Sequence, residues 1–294
     1  MISPMVAIVM VRLAFDAAAV VLCGAWLFLD WIGTKRLRAM MLAMPDVTAV
    51  TRTAPVVTCL AAIAWLPCDA ATIAGSWGAA IDPGFLGKIV FGTSAGLAWV
   101  ARCILSLLAI LILRSWVGRA RIPVAGAPLA SLSLSGHTAL QSGSLGLIHV
   151  VNDAVHLLAG SFWLGSLFLL PACLALLQVP ELYKEAGVTL QRFSTIGHAA
   201  VALVLLTGII NSILTLQQWP TKLNSPYVAL LAFKILLVVG MAGLALINRY
   251  ILVPKMRTNR ATAIALIRLG TWSELALGAG VLTLVAIIGV LDPR

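Results

Sequence analysis

The sequence predicts an all-α fold, a polytopic transmembrane helix bundle of about eight spans with both termini on the periplasmic side. Three observations predict it. Of 294 residues, 61% are hydrophobic and only 10% charged, whereas a water-soluble chain carries about 25% charged residues. Mean hydropathy is +1.05. Apolar runs of about 20 residues, each able to cross roughly 30 Å of hydrocarbon, recur along the whole length, so residues 1–294 read as a single integral membrane domain.

Breaks at charged or Pro/Gly-rich positions divide the runs into spans at about 5–32, 53–74, 89–113, 124–142, 148–177, 194–217, 227–250 and 271–290. The first contains Arg12 and lacks a preceding basic segment, so no cleaved secretory signal is expected. The fourth is the weakest, diluted by Pro123, Gly126, Pro128 and the series Ser131, Ser133, Ser135. Neighbouring helices can satisfy backbone that such residues release.

Charge sets the expected orientation. The loops after the first, third, fifth and seventh spans hold Lys35, Arg36, Arg38, Arg52, Arg114, Arg119, Arg121, Lys184, Arg192, Arg249, Lys255, Arg257, Arg260 and Arg268, while the opposite side holds Lys88, Lys222 and Arg294. Basic loops stay cytoplasmic. The net charge of +10 is therefore a topology signal, and no nucleic-acid partner is expected. Cys23, Cys59, Cys68, Cys103 and Cys173 stand singly within spans, without a CxxC pair, and suit small buried hydrophobes. Cys68, beside Asp69, is also a candidate ligand. No phosphate-binding GxxxxGK[ST] and no catalytic signature occurs, so neither ATP-driven pumping nor an enzyme is expected.

Ionisable groups inside hydrocarbon cost about 2.5–3.5 kcal/mol each on insertion scales and call for a partner or a purpose. Three cations, Arg12, Arg102 and Lys234, face three carboxylates, Asp16, Asp69 and Asp153. Arg12 and Asp16, four residues apart, are expected to pair on one helix. In the fifth span, His149, Asn152, Asp153 and His156 fall at i, i+3, i+4 and i+7 and share one stripe. Ser135-Gly136-His137 lies opposite at similar depth, so His137 and His156 are expected to approach each other. Neutral imidazoles suit copper or zinc. His149, about 10 Å from His156 along the axis, is assigned to the entrance, Asp153 to fixing a histidine tautomer, and Asn152, Asn211, Asp69, Arg102 and Lys234 to the surroundings or pathway. His198, near the cytoplasmic end, reads as structural. The same histidine pair would also suit bis-imidazole ligation of a haem b in an electron-transfer protein.

Several segments resemble the copper resistance protein D (CopD, PcoD-like) family of copper resistance and copper uptake membrane proteins. They are Ser135-Gly136-His137, the run from His156 to Gly165, Gln191-Arg192-Phe193-Ser194, Thr207-Gly208, Tyr227 to Lys234 as YxxLLxxK, and Asn248-Arg249 before Pro254. They cover spans four to eight. Val228 and Ser166 stand where many relatives have glycine, and the first three spans resemble the family only in number and in the midspan Arg102. The resemblance implies an inner-membrane protein that handles periplasmic copper, with His137 and His156 as metal contacts. A copper-binding partner of the CopC type would be a separate protein, and a role delivering copper to another membrane enzyme is the alternative to import.

Overall fold

A computed structural model describes residues 2–115, 118–136, 143–216 and 225–291. Every regular element among them is helical. Seven helices are long and apolar enough to cross a membrane: α1 (Pro4–Ile32), α3 (Pro45–Ala74), α5 (Ser94–Ser115), α7 (Gly143–Gly165), α9 (Tyr183–Thr215), α10 (Pro226–Lys255) and α11 (Arg260–Ile288). Shorter helices are α2 (Lys35–Ala43), α4 (Pro83–Gly92), α6 (Arg121–Ala130) and α8 (Leu170–Leu176). Caps fall where the sequence places them. Ser3 and Ser225 accept from the amides of Val6 and Val228, with Pro4 and Pro226 in the first turn, where proline forfeits no helical hydrogen bond.

The fourth predicted span is where helix and expectation part. Its described part consists of the ten-residue α6, with Pro128 inside it, and the 3₁₀ turn Ser131–Leu134; the proline removes an intrahelical donor. Its start and end nonetheless lie at different levels of the bundle. The Arg121 guanidinium lies 4.4 Å from the Trp26 ring, near the second end of α1, whereas Ser135 meets Arg102, in the first half of α5. Among the described residues there are thus seven spanning helices, with an irregular stretch where the fourth of eight spans is expected. The fifth predicted span is also interrupted, by a turn at residues 168–169 before α8.

The central helix is α1, which packs on α3, α6, α7 and α11 and buries Phe15, Leu22, Phe28 and Leu29 completely or nearly so. Its crossing with α7 depends on Gly24 and Gly165. A Cβ on Gly165 would lie 2.1 Å from the Val20 carbonyl oxygen, and one on Gly24 2.4 Å from the Ser161 oxygen; small residues at such crossings let backbones touch. Ser166, the departure from glycine, donates its hydroxyl to the Gly24 carbonyl at 3.0 Å and is fully buried. Leucine, isoleucine and phenylalanine side chains on α7, α9 and α10, such as Leu147, Leu206, Ile213, Phe233 and Leu236, are exposed, as the lipid-facing side of a bundle requires.

Among the described residues three helices carry π-helical turns, at Leu27–Ile32, Ser161–Gly165 and Asn248–Leu252. Such turns concentrate at functional sites.

Candidate metal site and buried charge clusters

The period of α7 places Gly146, His149, Asn152, Asp153, His156 and Ala159 on the inner face, while Leu147, Ile148 and Val151 are exposed. His149, placed at the entrance by sequence, is 2% exposed and engaged in an interaction within the protein.

The centre of the site is the contact between α7 and α9. His156 Nδ1 lies 2.9 Å from Thr207 Oγ1. That hydroxyl donates its single proton to the Leu203 carbonyl at 2.6 Å, so it accepts from Nδ1–H, which leaves Nε2 carrying the ring's lone pair. Gly208 makes room for the ring, since a Cβ there would lie 3.2 Å from His156 Cε1. The Thr207-Gly208 pair thus has two separate jobs at one imidazole, hydrogen bonding and clearance.

Next to it runs a chain of amides. Asn152 Nδ2 donates to the Thr207 carbonyl (2.9 Å) and to Asn211 Oδ1 (2.7 Å), and Asn211 Nδ2 donates to Asp153 Oδ1 at 2.8 Å. Lys234, from α10, supplies the positive charge nearest this carboxylate. Asp153 therefore lies at the end of the Asn152–Asn211 chain and faces Lys234; the tautomer of His156 is set instead by Thr207.

The remaining four charges collect elsewhere. Arg12, Asp16, Asp69 and Arg102 lie within electrostatic reach of one another where α1, α3 and α5 meet. Six charges thus divide into a balanced group of four and a balanced pair. The expected Arg12–Asp16 hydrogen-bonded pair does not form among the described residues, and Asp16 Oδ1 is buried without a partner there. The guanidiniums lie instead over the Trp65 ring, at 4.8 Å for Arg12 and 4.5 Å for Arg102, where the ring's quadrupole attracts a cation. Asp69 belongs to this group, well apart from the Asn211 network with which the sequence had joined it. Arg102 Nη2 also donates to Ser135 Oγ at 2.8 Å.

His137 lies outside the described residues, as do residues 138–142. Its neighbour Gly136 adopts φ +75°, a backbone form that glycine takes without strain. Among the described residues no group of three His, Cys, Asp or Glu side chains is placed to hold a metal ion. His156 is a single oriented imidazole among them.

Two buried carboxylates escaped the sequence reading: Asp30, which pairs with Arg38 at 2.6 Å, and Glu274. Glu274, in α11, is 2% exposed and accepts from Asn248 Nδ2 at 2.7 Å. The signal was present, a lone acid within the apolar run of the eighth span.

Comparison with known proteins agrees with this architecture. Residues 1–147 match the family described as copper resistance protein D-like, N-terminal domain, and residues 187–290 match copper resistance protein D. The N-terminal half, where sequence reading found little beyond Arg102, thus carries the family's own N-terminal domain. The chain is 30% identical over 237 residues to inner membrane protein YebZ of Escherichia coli K12, covering 80% of this chain and 81% of that protein. It is 32% identical over 180 residues to copper resistance protein D of Pseudomonas syringae pv. tomato, covering 58% of this chain and 57% of the relative. It is 27% identical over 231 residues to copper transport protein CutJ of Bacillus subtilis 168, covering 74% of this chain and 40% of the relative. No solved structure matches.

Proposed function

Since this chain belongs to the copper resistance protein D family, we propose that it is a multi-pass inner-membrane protein that imports copper from the periplasm to the cytoplasm through a site in its outward half, centred on His156. The observation that carries the site is the Thr207 clasp, which holds His156 with Nε2 as its lone-pair nitrogen. A neutral imidazole fixed in one tautomer by a hydrogen bond to its other nitrogen is how proteins prepare a metal ligand.

In this reading both termini are periplasmic and the irregular fourth segment counts as a crossing. His137, after the Arg102-tethered Ser135, is the second ligand, and His149 lies on the outer side of the same stripe. Asn152 and Asn211 offer amide oxygens beyond the histidine, and the Asp153–Lys234 pair keeps the surrounding charge balanced. A membrane potential, inside negative, favours entry of a cation by about 2.3 kcal/mol per charge per 100 mV. Copper is the cargo; the lipid bilayer and a separate CopC-type copper-binding protein are the expected partners.

The test combines metal analysis of detergent-purified protein with copper uptake into proteoliposomes. His156→Ala should lose bound copper and uptake while the helical circular dichroism is retained. Unchanged copper stoichiometry in that variant overturns the site, and wild-type protein that binds copper without moving it overturns import in favour of delivery.

A further inference from the structure

Glu274 stands midway along α11, deep among apolar side chains and 2% exposed. Asn248 Nδ2 donates to its Oε1 at 2.7 Å, and the Trp163 indole lies within hydrogen-bonding reach of the carboxyl group. Both neighbours stand in π-helical turns, Asn248 at the start of Asn248–Leu252 and Trp163 within Ser161–Gly165. A Cβ on Gly270 would lie 2.7 Å from Asn248 Oδ1, so the missing side chain lets the amide close on α11.

The charged groups on the elements packed against α11 are committed elsewhere or, like Lys255 at the end of α10, exposed. On α1, Arg12 and Asp16 belong to the Trp65 cluster, and Asp30 is held by Arg38 at 2.6 Å. On α10, Lys234 faces Asp153 and Arg249 donates to Ser194. The other titratable groups there are also placed: Cys23 beside Ser161, Tyr250 against His198, Tyr227 with Leu284 and Ile288. Arg260, at the start of α11, lies over Tyr183, and Cys173 of α8 lies near the Ala186 carbonyl.

A carboxylate at this depth with two neutral donors and no cation is poorly compensated, and a buried charge demands a counter-charge or a proton. Trp163 lies seven residues beyond His156 on α7, about 10 Å further along the helix. The carboxyl group therefore lies past the histidine site on the proposed inward route. We propose that Glu274 is the proton-exchanging station of the transport cycle, a deeper site that holds either a proton or the passing cation. This rests on the import reading above. On arrival of the cation the carboxyl O–H bond breaks, the proton passes to water, and one positive charge of the cation replaces it; when the cation leaves, a proton from water returns.

The test is infrared spectroscopy of the full chain in lipid, wild type and Glu274→Gln, with reduced copper titrated in, alongside proton release during copper uptake into proteoliposomes. Expected is a protonated-carboxyl band absent from Glu274→Gln, which fades as copper is added to the wild type, with copper-driven proton movement lost in the variant while copper bound at the histidine site is retained. The chain has three glutamates, Glu181, Glu185 and Glu274. Glu181 is exposed and Glu185 pairs with Arg36, so isotopic labelling of glutamate in the wild type identifies the band even where Glu274→Gln does not fold. A band unchanged by copper, or no glutamate-derived band at all, overturns the proposal. Wild-type protein that takes up no copper, yet whose glutamate band responds to it, overturns import and leaves the proton site standing.

Discussion

Arg102 Nη2 donates to Ser135 Oγ at 2.8 Å, and through that bond the charge cluster on α1, α3 and α5 grips the segment that leads into His137. The guanidinium is 2% exposed and stacks on Trp65, so the tether starts from a fixed base. Ser135→Ala should cost about 1.5–3 kcal/mol, the range for a hydrogen bond to a charged group. It should also weaken copper binding about 10–100-fold, the usual effect of losing a group that orients a metal ligand. Thermal unfolding in detergent and a copper competition titration measure the two effects. Stability lost without any change in copper affinity would confine Arg102 to a structural role.

The Thr207 hydroxyl makes a sharper prediction, because valine matches its shape and removes both the acceptor at His156 Nδ1 and the donor to the Leu203 carbonyl. Thr207→Val should keep the helix bundle intact and reduce copper affinity about 10–100-fold. Thr207→Ser, which retains the oxygen, should stay close to wild type. Equal losses in both variants would trace the effect to packing and dismiss the tautomer argument.

Those two residues also mark what sequence can reveal. Membrane periodicity is a one-dimensional signal, so seven of the eight spans and the His149–His156 stripe are legible from spacing alone. Thr207 and Gly208 were visible only as a family-like pair, since their purpose depends on a neighbouring helix. The partition of charges was invisible for the same reason: Arg12 prefers the Trp65 face over Asp16, a choice made by α3, fifty residues away in sequence. The change to a 3₁₀ turn after Ala130 and the turn before α8 leave no trace in hydropathy, which averages over such irregularities. Glu274 stands plainly in an apolar run, but its partners Asn248 and Trp163 lie on other helices, so spacing along the chain carries no sign of the contact.

The Asp153–Lys234 pair offers a thermodynamic check on the site's electrostatics. Removing either charge leaves the other buried, which typically costs about 3–5 kcal/mol. Asp153→Asn and Lys234→Met should each destabilise the protein on that scale, and the double variant should recover much of the loss, because no isolated charge remains. A double-mutant cycle from thermal or denaturant unfolding gives the coupling. Strictly additive losses would mean that the two groups do not sense each other.

The Gly24–Gly165 crossing is the place where the fold tolerates least. A Cβ at Gly165 would meet the Val20 carbonyl oxygen at 2.1 Å and its carbon at 2.9 Å. Both are backbone atoms of a helix packed on four others, so no side-chain rotation relieves the clash and α1 and α7 must separate. Overpacking of a core commonly costs about 1–3 kcal/mol, and more where backbone must move. Gly165→Ala should therefore fall at or above the top of that range, and it should also displace Ser166, whose hydroxyl bonds the Gly24 carbonyl. Gly187→Ala, with nothing within 4 Å of the added carbon, is the matched control and should be neutral or slightly stabilising, since alanine is the better helix former. Yield of monodisperse protein and the midpoint of thermal unfolding decide the matter: if the two alanine variants behave alike, the close approach of α1 and α7 does not hold the bundle together.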